Sequence, residues 1–391
     1  MNVLVLNYFS RNSLAVVHGL PRDCRIIGAD ESRKSRRSRA WERVLRHPRV
    51  ETIERYASSD AAPETFVRDL IRICRYHGID LVIPTGTTAT DALSRFKADI
   101  EQAVDTRCAV TGYDRLVRAT DKWHAYQLAI EAGVPVPETR LFDPVGQDVM
   151  AQVEGMRFPL VVKPRISYAA IGVHHVEDVA GLRSVAKELA CDAGAQGSPC
   201  SLIAQEQVDG NLNDVAACAQ VGRALTLVTQ QRLVSLYDFG GGGIVNITTR
   251  DAELQGHARR LLAFLEWDGP MLFDFIRAPD GKVYLLECNP KIWGTTDLVL
   301  EAGPGVIQMM LGIFGAQTQV EAVDDYEEGL LYRWWVPECL YHWFHRPFTM
   351  KALVARLGRT AGRYRARRVV SNLRFRDLGH LAGIAANRLI A

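Results

Sequence analysis

Residues 272–291 read Leu-Phe-Asp-Phe-Ile-Arg-Ala-Pro-Asp-Gly-Lys-Val-Tyr-Leu-Leu-Glu-Cys-Asn-Pro-Lys. An apolar strand carrying Asp274, a Pro-Asp-Gly turn and a return strand running into Glu287-Cys288-Asn289-Pro290-Lys291 predict a β-hairpin. Antiparallel pairing can bring Asp274 and Glu287 side by side, and the period of two turns Asn289 to the same face as Glu287. Two carboxylates and an amide oxygen at a strand end form an oxygen-only donor set. Mg²⁺ prefers such sites, where it keeps waters and bridges phosphate oxygens. Lys291 adds a positive charge beside them. Taken alone, the segment also fits an ordinary hairpin with surface acids, so the upstream residues decide its meaning.

Upstream, Thr120-Asp121-Lys122-Trp123 opens a helix that Gly133 closes, and Val-Pro-Val-Pro137 forces extended chain after it. Phe158 to Pro164 reads as a strand whose end carries Lys163. The loop Arg165–Ile171 follows, then a strand Gly172–Val176 and a helix capped by Asp178. A lysine at a rigid strand end is a preplaced charge, and loop N–H groups can cup phosphate oxygens. Ser201–Glu206 is another strand, running through Gln207 and Val208 to a turn at Gly210. Val215–Val221 and Ala224–Arg232 flank a Gly222-Arg223 turn. Gly240–Gly243 is a run of four glycines, read either as a flexible linker or as backbone free to approach a ligand closely. Asp251–Leu265 is an amphipathic helix.

These residues resemble the ATP-grasp enzymes. Asp-Lys, Val-Lys-Pro, Gln-Glu-x-Val-x-Gly and Asp…Glu-x-Asn-Pro-Lys occur in the family's order, and the likeness covers about residues 1–315. Lys291-Ile-Trp293-Gly294 fits the carboxylate–amine ligase-like branch, in which Glu-x-Asn-Pro-(Arg/Lys)-x-Trp-Gly recurs. The resemblance implies an ATP-dependent ligase that activates a carboxylate as an acyl phosphate and couples it to an amine. Implied cofactors are ATP and Mg²⁺, two ions being expected and Mn²⁺ able to substitute. Asp274, Glu287 and Asn289 would hold the metal, and Lys122 and Lys163 the α- and β-phosphates. Ser167 would donate a hydroxyl from the loop. Glu206, with the backbone of Gln207 and Val208, would line the adenine. Asp214, Asn211 or Asn213 would reach the ribose, because Leu212 stands where relatives carry an acid. Arg232 and Lys291 would face the γ-phosphoryl group and the acyl intermediate. The chain departs from the family in its glycine-poor loop Ile166–Gly172, in Asp274 for the more frequent Glu, and in Lys291 for Arg, which keeps charge but loses bidentate geometry. A bicarbonate or hydroxyl acceptor, giving a carboxylase or kinase, and a non-catalytic nucleotide-binding scaffold are the competing readings.

The elements that must position these residues follow from the rest of the pattern. Val3–Leu6, Arg25–Ala29 and Leu81–Pro84 are apolar strands, and Pro63–Tyr76 is an amphipathic helix stopped at Gly78. This βαβ rhythm implies an open parallel sheet. The expected architecture is α/β: an N-terminal pre-ATP-grasp domain over 1–115, a linker and small lid subdomain over 116–205, a large subdomain with the metal site over 206–320, and an aromatic, Arg-rich helical extension over 321–391. No 18-residue apolar run predicts a membrane span, and no signal peptide is expected. Eight scattered cysteines without CxxC pairs argue against a zinc module or disulfide framework and suit a reducing cytoplasm. The net charge of +2 hides an asymmetry: residues 346–391 carry +10 and the preceding body −8. Three readings stand for that tail: a packed helical appendage, a peripheral membrane contact, or a docking patch for an acidic partner. The run Arg33–Arg39 reads as a solvated loop or an anion contact. Small carboxylate and amine substrates are the expected partners. No nucleic-acid motif is present, and a homo-oligomer is left open.

Overall fold

The computed structural model describes residues 1–32, 39–144, 148–167, 171–196, 202–237, 240–315, 319–335 and 366–390. The chain divides into two compact units rather than along the four expected segments. One comprises Met1–Leu116, Asp214–Leu272 and Pro290–Ala391; the other comprises Val117–Asn213 and Phe273–Asn289. Residues 273–289 of the predicted hairpin therefore group with residues 117–213, not with the rest of 206–320.

The first unit opens with a five-stranded parallel sheet, β3-β2-β1-β4-β5. Its strands are β1 (Asn2–Leu6), β2 (Arg25–Glu31), β3 (Val50–Tyr56), β4 (Leu81–Pro84) and β5 (Arg107–Cys108). Val3 to Leu6 are all fully buried, as a parallel strand covered on both faces requires. The helix Pro63–His77 has Pro at its start and ends at Gly78, whose φ of 59° is the left-handed C-cap that glycine allows. The same unit holds a second sheet, in which the first residues of β13 (Gly269–Arg277) neighbour β10 (Asn211–Gln220). Then come β11 (Arg223–Tyr237), β12 (Gly240–Thr249), β15 (Leu330–Arg333) and β16 (Arg368–Ser371). The glycine run is thus the start of β12 and not a loop. Gly243 must be glycine there, because a Cβ would stand 2.0 Å from Asn246 Oδ1. The helix Leu378–Ile390 packs Leu381 and Ile384 on Leu14. It supports the helical-appendage reading for its own residues. The aromatic segment 341–345 and the helix expected around Leu353–Leu357 lie outside the described residues, as does the run at 33–38.

The second unit is built on the antiparallel sheet β6-β9-β7-β8. Its strands are β6 (Thr139–Phe142), β7 (Leu160–Pro164), β8 (His174–Val176) and β9 (Leu202–Glu206). One face buries Phe142, Leu160, Val162, Leu182, Leu202 and Ala204. The other carries Thr139, Lys163 and Gln205, because β9 pairs Gln205 with Thr139 on one side and with Val161 on the other. The remainder of β13 and β14 (Val283–Asn289) form the predicted hairpin. Its turn is closed by Ala278 N–H donating to the Lys282 carbonyl at 2.9 Å, with Gly281 at φ 89°. Gly210 needs the absence of a side chain: a Cβ there would lie 2.2 Å from the Arg277 carbonyl oxygen.

Candidate active site

The second unit gathers nine of the residues singled out from the sequence: Lys122, Lys163, Ser167, Glu206, Gln207, Val208, Asp274, Glu287 and Asn289. Asp121 caps the helix Lys122–Glu131 by accepting from the Trp123 and His124 N–H groups. Arg165 grips the same carboxylate through both oxygens, at 3.0 and 2.5 Å. Burial works to raise the Asp121 pKa, but this guanidinium and the helix N–H donors outweigh it and hold the group below its ordinary value. The Lys122 N–H donates to the Arg165 carbonyl at 2.9 Å. The helix start is therefore locked onto the loop after β7, and Lys122 is aimed by it.

Lys122 Nζ donates to the Ser167 carbonyl at 3.0 Å and to its hydroxyl at 3.1 Å, and stands 4.0 Å from Glu287 Oε1. Ser167 here serves the lysine as an acceptor, which leaves its hydroxyl proton available for donation. Lys163 Nζ is buried and donates to Gln205 Oε1 at 2.9 Å. Gln205 Nε2 donates to Thr139 Oγ1 at 2.8 Å, and Thr139 Oγ1 to the Pro137 carbonyl at 2.9 Å. Burial pushes the Lys163 ammonium down to about 8, with Lys122 pushing the same way, while Glu287 and Asp274 oppose them. Desolvation wins over two carboxylates. Both acids act on this ammonium across space, and of the two Glu287 stands within 4.0 Å of the neighbouring Lys122. Asn289 follows Glu287 by two residues on β14 and is half-buried. Lys122, Gln205 and Glu287 open on a pocket of about 10 Å³, room for roughly one water, walled by Ala125, Val136 and Leu285.

The hinge residues are placed less simply. Glu206 is taken up by Arg157, which donates from its backbone N–H at 2.9 Å and from Nη2 at 2.8 Å. Against the upward push of burial, that guanidinium keeps the carboxyl below its ordinary value. The Gln207 N–H goes to the Pro159 carbonyl at 2.9 Å, and its side-chain Oε1 accepts from His175 Nδ1 at 2.8 Å. The Gln207 N–H is therefore already taken within the protein, unlike the backbone role expected of it.

Three expected residues, Asp214, Arg232 and Lys291, belong to the first unit. Asp214 is fully buried on β10, and its carboxylate accepts from Arg232 Nε at 3.0 Å, Arg232 Nη2 at 2.6 Å and Gln230 Nε2 at 2.9 Å. This corrects the ribose assignment: the group is committed to a bidentate guanidinium and is not presented at a surface. Residues 211–214 are the first residues of β10, which carries Asp214 to the strand facing Arg232 and Gln230. Asn213 Nδ2 donates locally to the Asn211 carbonyl. Arg232 is held by the same pair, so its charge is half-neutralised and its geometry fixed. Lys291 Nζ reaches Thr87 Oγ1, at the start of the helix Thr87–Arg95.

Sequence reasoning missed Gln205, Thr139 and Arg165. Gln205 carried a signal, a polar residue alternating with core Ala204 beside the expected hinge. Arg165 carried none beyond its charge.

The donor chemistry fits the expected metal: Asp274, Glu287 and Asn289 supply only oxygen. A family model for the ATP-grasp domain matches residues 119–295. No curated protein matches the chain by sequence. Among solved structures, biotin carboxylase from Campylobacter jejuni with an ATP analogue aligns at TM-score 0.67 and 12% identity, over 82% of this chain and 72% of that one. An L-amino acid ligase from Bacillus licheniformis aligns at 0.61 and 15%, over 82% and 75%. N5-carboxyaminoimidazole synthetase from Staphylococcus aureus with ADP aligns at 0.63 and 11%, over 84% and 79%. At these identities the solved structures speak for the fold alone, and the domain match places an ATP-grasp domain at residues 119–295.

Proposed function

We propose that the protein is an ATP-dependent ligase joining a carboxylate to an amine. The observation that supports this most is the meeting of Lys122 and Lys163 with Glu287 and Asp274 in one compact unit. Two buried ammonium groups beside two carboxylates are too costly to keep for packing alone, and they match a triphosphate with its divalent ion.

In this reading a substrate carboxylate oxygen attacks the γ-phosphorus of ATP. The bond to the β-phosphate bridging oxygen breaks, leaving ADP and an acyl phosphate. The amine then attacks the acyl carbon, phosphate departs, and the amine loses a proton. None of this needs a protein nucleophile. The chain contributes position and charge: Lys122 and Lys163 for the α- and β-phosphates, Arg232 and Lys291 for the γ-phosphoryl group and the acyl phosphate. Asp274, Glu287 and Asn289 would hold Mg²⁺, which neutralises phosphate charge when bound. The glutamine, threonine and proline oxygens behind Lys163 fix where its charge sits. The resemblance to a carboxylate–amine branch, and solved neighbours that include a ligase, favour an amine as acceptor. The reduced cysteines Cys24, Cys74, Cys108, Cys218 and Cys288 suit a reducing compartment such as the cytoplasm.

The test is release of ADP and of free phosphate across a panel of carboxylates and amines. Substrate-dependent release of both is expected from the wild type. Glu287→Ala and Lys163→Ala should lose turnover while keeping a native circular dichroism spectrum. ADP formation retained in both variants would refute the assignment. ADP without free phosphate would mean a kinase, and binding without turnover a scaffold.

A further inference from the structure

Two arginine-rich stretches have no part in the chemistry above. Residues 33–49 contain eight Lys+Arg and one acid, Glu42; residues 366–391 contain five Arg and one acid, Asp377. They are remote in sequence, yet the fold brings them together. The helix Leu378–Ile390 packs on the helix Arg39–Leu45 so closely that a Cβ on Gly379 would lie 2.8 Å from the Val44 carbonyl oxygen.

Both acids are turned inward. Glu42 is buried against Arg55. Asp377, in the short 3₁₀ turn Phe375–Asp377, is buried with Oδ1 at 3.1 Å from His18 Nε2 and 3.2 Å from His47 Nε2. His47 Nδ1 accepts the Arg49 N–H at 3.1 Å, so its Nε2 carries the proton and donates to Asp377. His18 Nδ1 meets Asp297 at 3.4 Å. These ring N–H groups pin Asp377 inward, and its neighbours are forced out. Phe375 is 91% exposed, Leu378 50%, Leu373 49%, and Val44, on the packed helix, 66%. Arg43 and Arg376 are exposed beside them. Exposed aliphatic and aromatic tips thus lie on two packed helices and the turn before one of them, with exposed Arg43 and Arg376 next to them in sequence and no exposed acid in either described stretch.

We propose that this face rests on an anionic lipid surface. The charge supplies long-range attraction, and the apolar tips have a reason to be exposed only if something apolar receives them. Val44, Leu373 and Leu378 are aliphatic and offer nothing to a base or phosphate, which sets the face apart from a nucleic-acid contact. Among the described residues no single helix is long and apolar enough to cross a membrane, so the contact is peripheral.

The test is sedimentation of the full chain with vesicles of phosphatidylcholine alone or mixed with phosphatidylglycerol. Binding to the mixed vesicles only, weakening as salt rises, is expected. The double variant Phe375→Ser with Leu378→Ser should bind roughly ten-fold more weakly. Arg43→Gln with Arg376→Gln should bind roughly twenty-five-fold more weakly. ADP binding should be unchanged in both. A wild type that stays in the supernatant with mixed vesicles overturns the proposal. So does binding that the arginine variant abolishes and the serine variant leaves intact, which would mark a purely ionic contact with a nucleic acid or an acidic protein.

Discussion

Lys163, buried, and His18, mostly buried, are both cations acted on by two carboxylates, and they are shifted in opposite directions. Burial pushes Lys163 down to about 8, and Glu287 and Asp274, acting across space, do not restore it. Burial also acts to lower His18, but Asp297 and Asp377 hydrogen-bond to its two ring nitrogens and carry it up to about 9. The difference is contact. A carboxylate that takes the proton in a hydrogen bond offsets desolvation; one held a few ångströms away does not. His18 is satisfied by the protein and acts as a clasp. Lys163 has a neutral amide as its direct partner, and its charge is left waiting for an anion.

The clasp side of this contrast predicts the largest effect. Asp377→Ala removes the acceptor of both His18 and His47 and strands buried ring N–H groups. It should cost about 3–5 kcal/mol in urea unfolding, while the folded fraction binds ADP normally. A loss below about 1 kcal/mol would mean that the clasp is incidental.

The two cations should also give opposite slopes against pH. The folded pKa of His18 lies above 6.5, so its stabilisation is complete below pH 6.5 and is lost as pH rises to about 9, an effect of about 3 kcal/mol. The folded pKa of Lys163 lies below 10.5, so between about pH 8 and 10.5 this group by itself adds stability as pH rises. The thiols of Cys74, Cys108, Cys218 and Cys288, all pushed up by burial, act the other way in alkali. Thermal melts should therefore fall more steeply above pH 8 in Lys163→Met than in the wild type, and equal slopes would break the comparison.

The smallest effect concerns aim. Gln205→Leu takes away the direct partner of Lys163 and should weaken Mg·ADP binding by about 1.5 kcal/mol, roughly ten-fold, with little change in melting temperature. Unchanged affinity would make Gln205 a packing residue.

The contrast also shows what could be read in advance. The hairpin, its turn, both lysines and the helix cap at Asp121 were legible because each rests on a local rule: a Pro-Asp-Gly turn, a strand end, an Asp before a helix. The C-terminal helix was legible from the spacing of Leu378, Leu381 and Ile384. What was hidden depends on pairing between distant segments. Gln205 is defined by facing Thr139 on β6, and Asp214 by lying opposite Arg232 and Gln230. Asp214 could not be ruled out for the ribose from sequence for that reason: its commitment to Arg232 and Gln230 depends on a strand pairing that no local pattern announces. The clasp joins residues 18, 47, 297 and 377, and no local pattern announces it.

The central claim is that Lys163 is a poised cation at a phosphate site, and calorimetry of Mg·ADP binding above pH 8 tests it most directly. Measured in buffers of different ionisation enthalpy, binding should take up close to one proton, because phosphate raises a pKa that starts at about 8. The uptake should vanish in Lys163→Met. Binding with no proton uptake in the wild type, or the same uptake in the variant, would contradict the account.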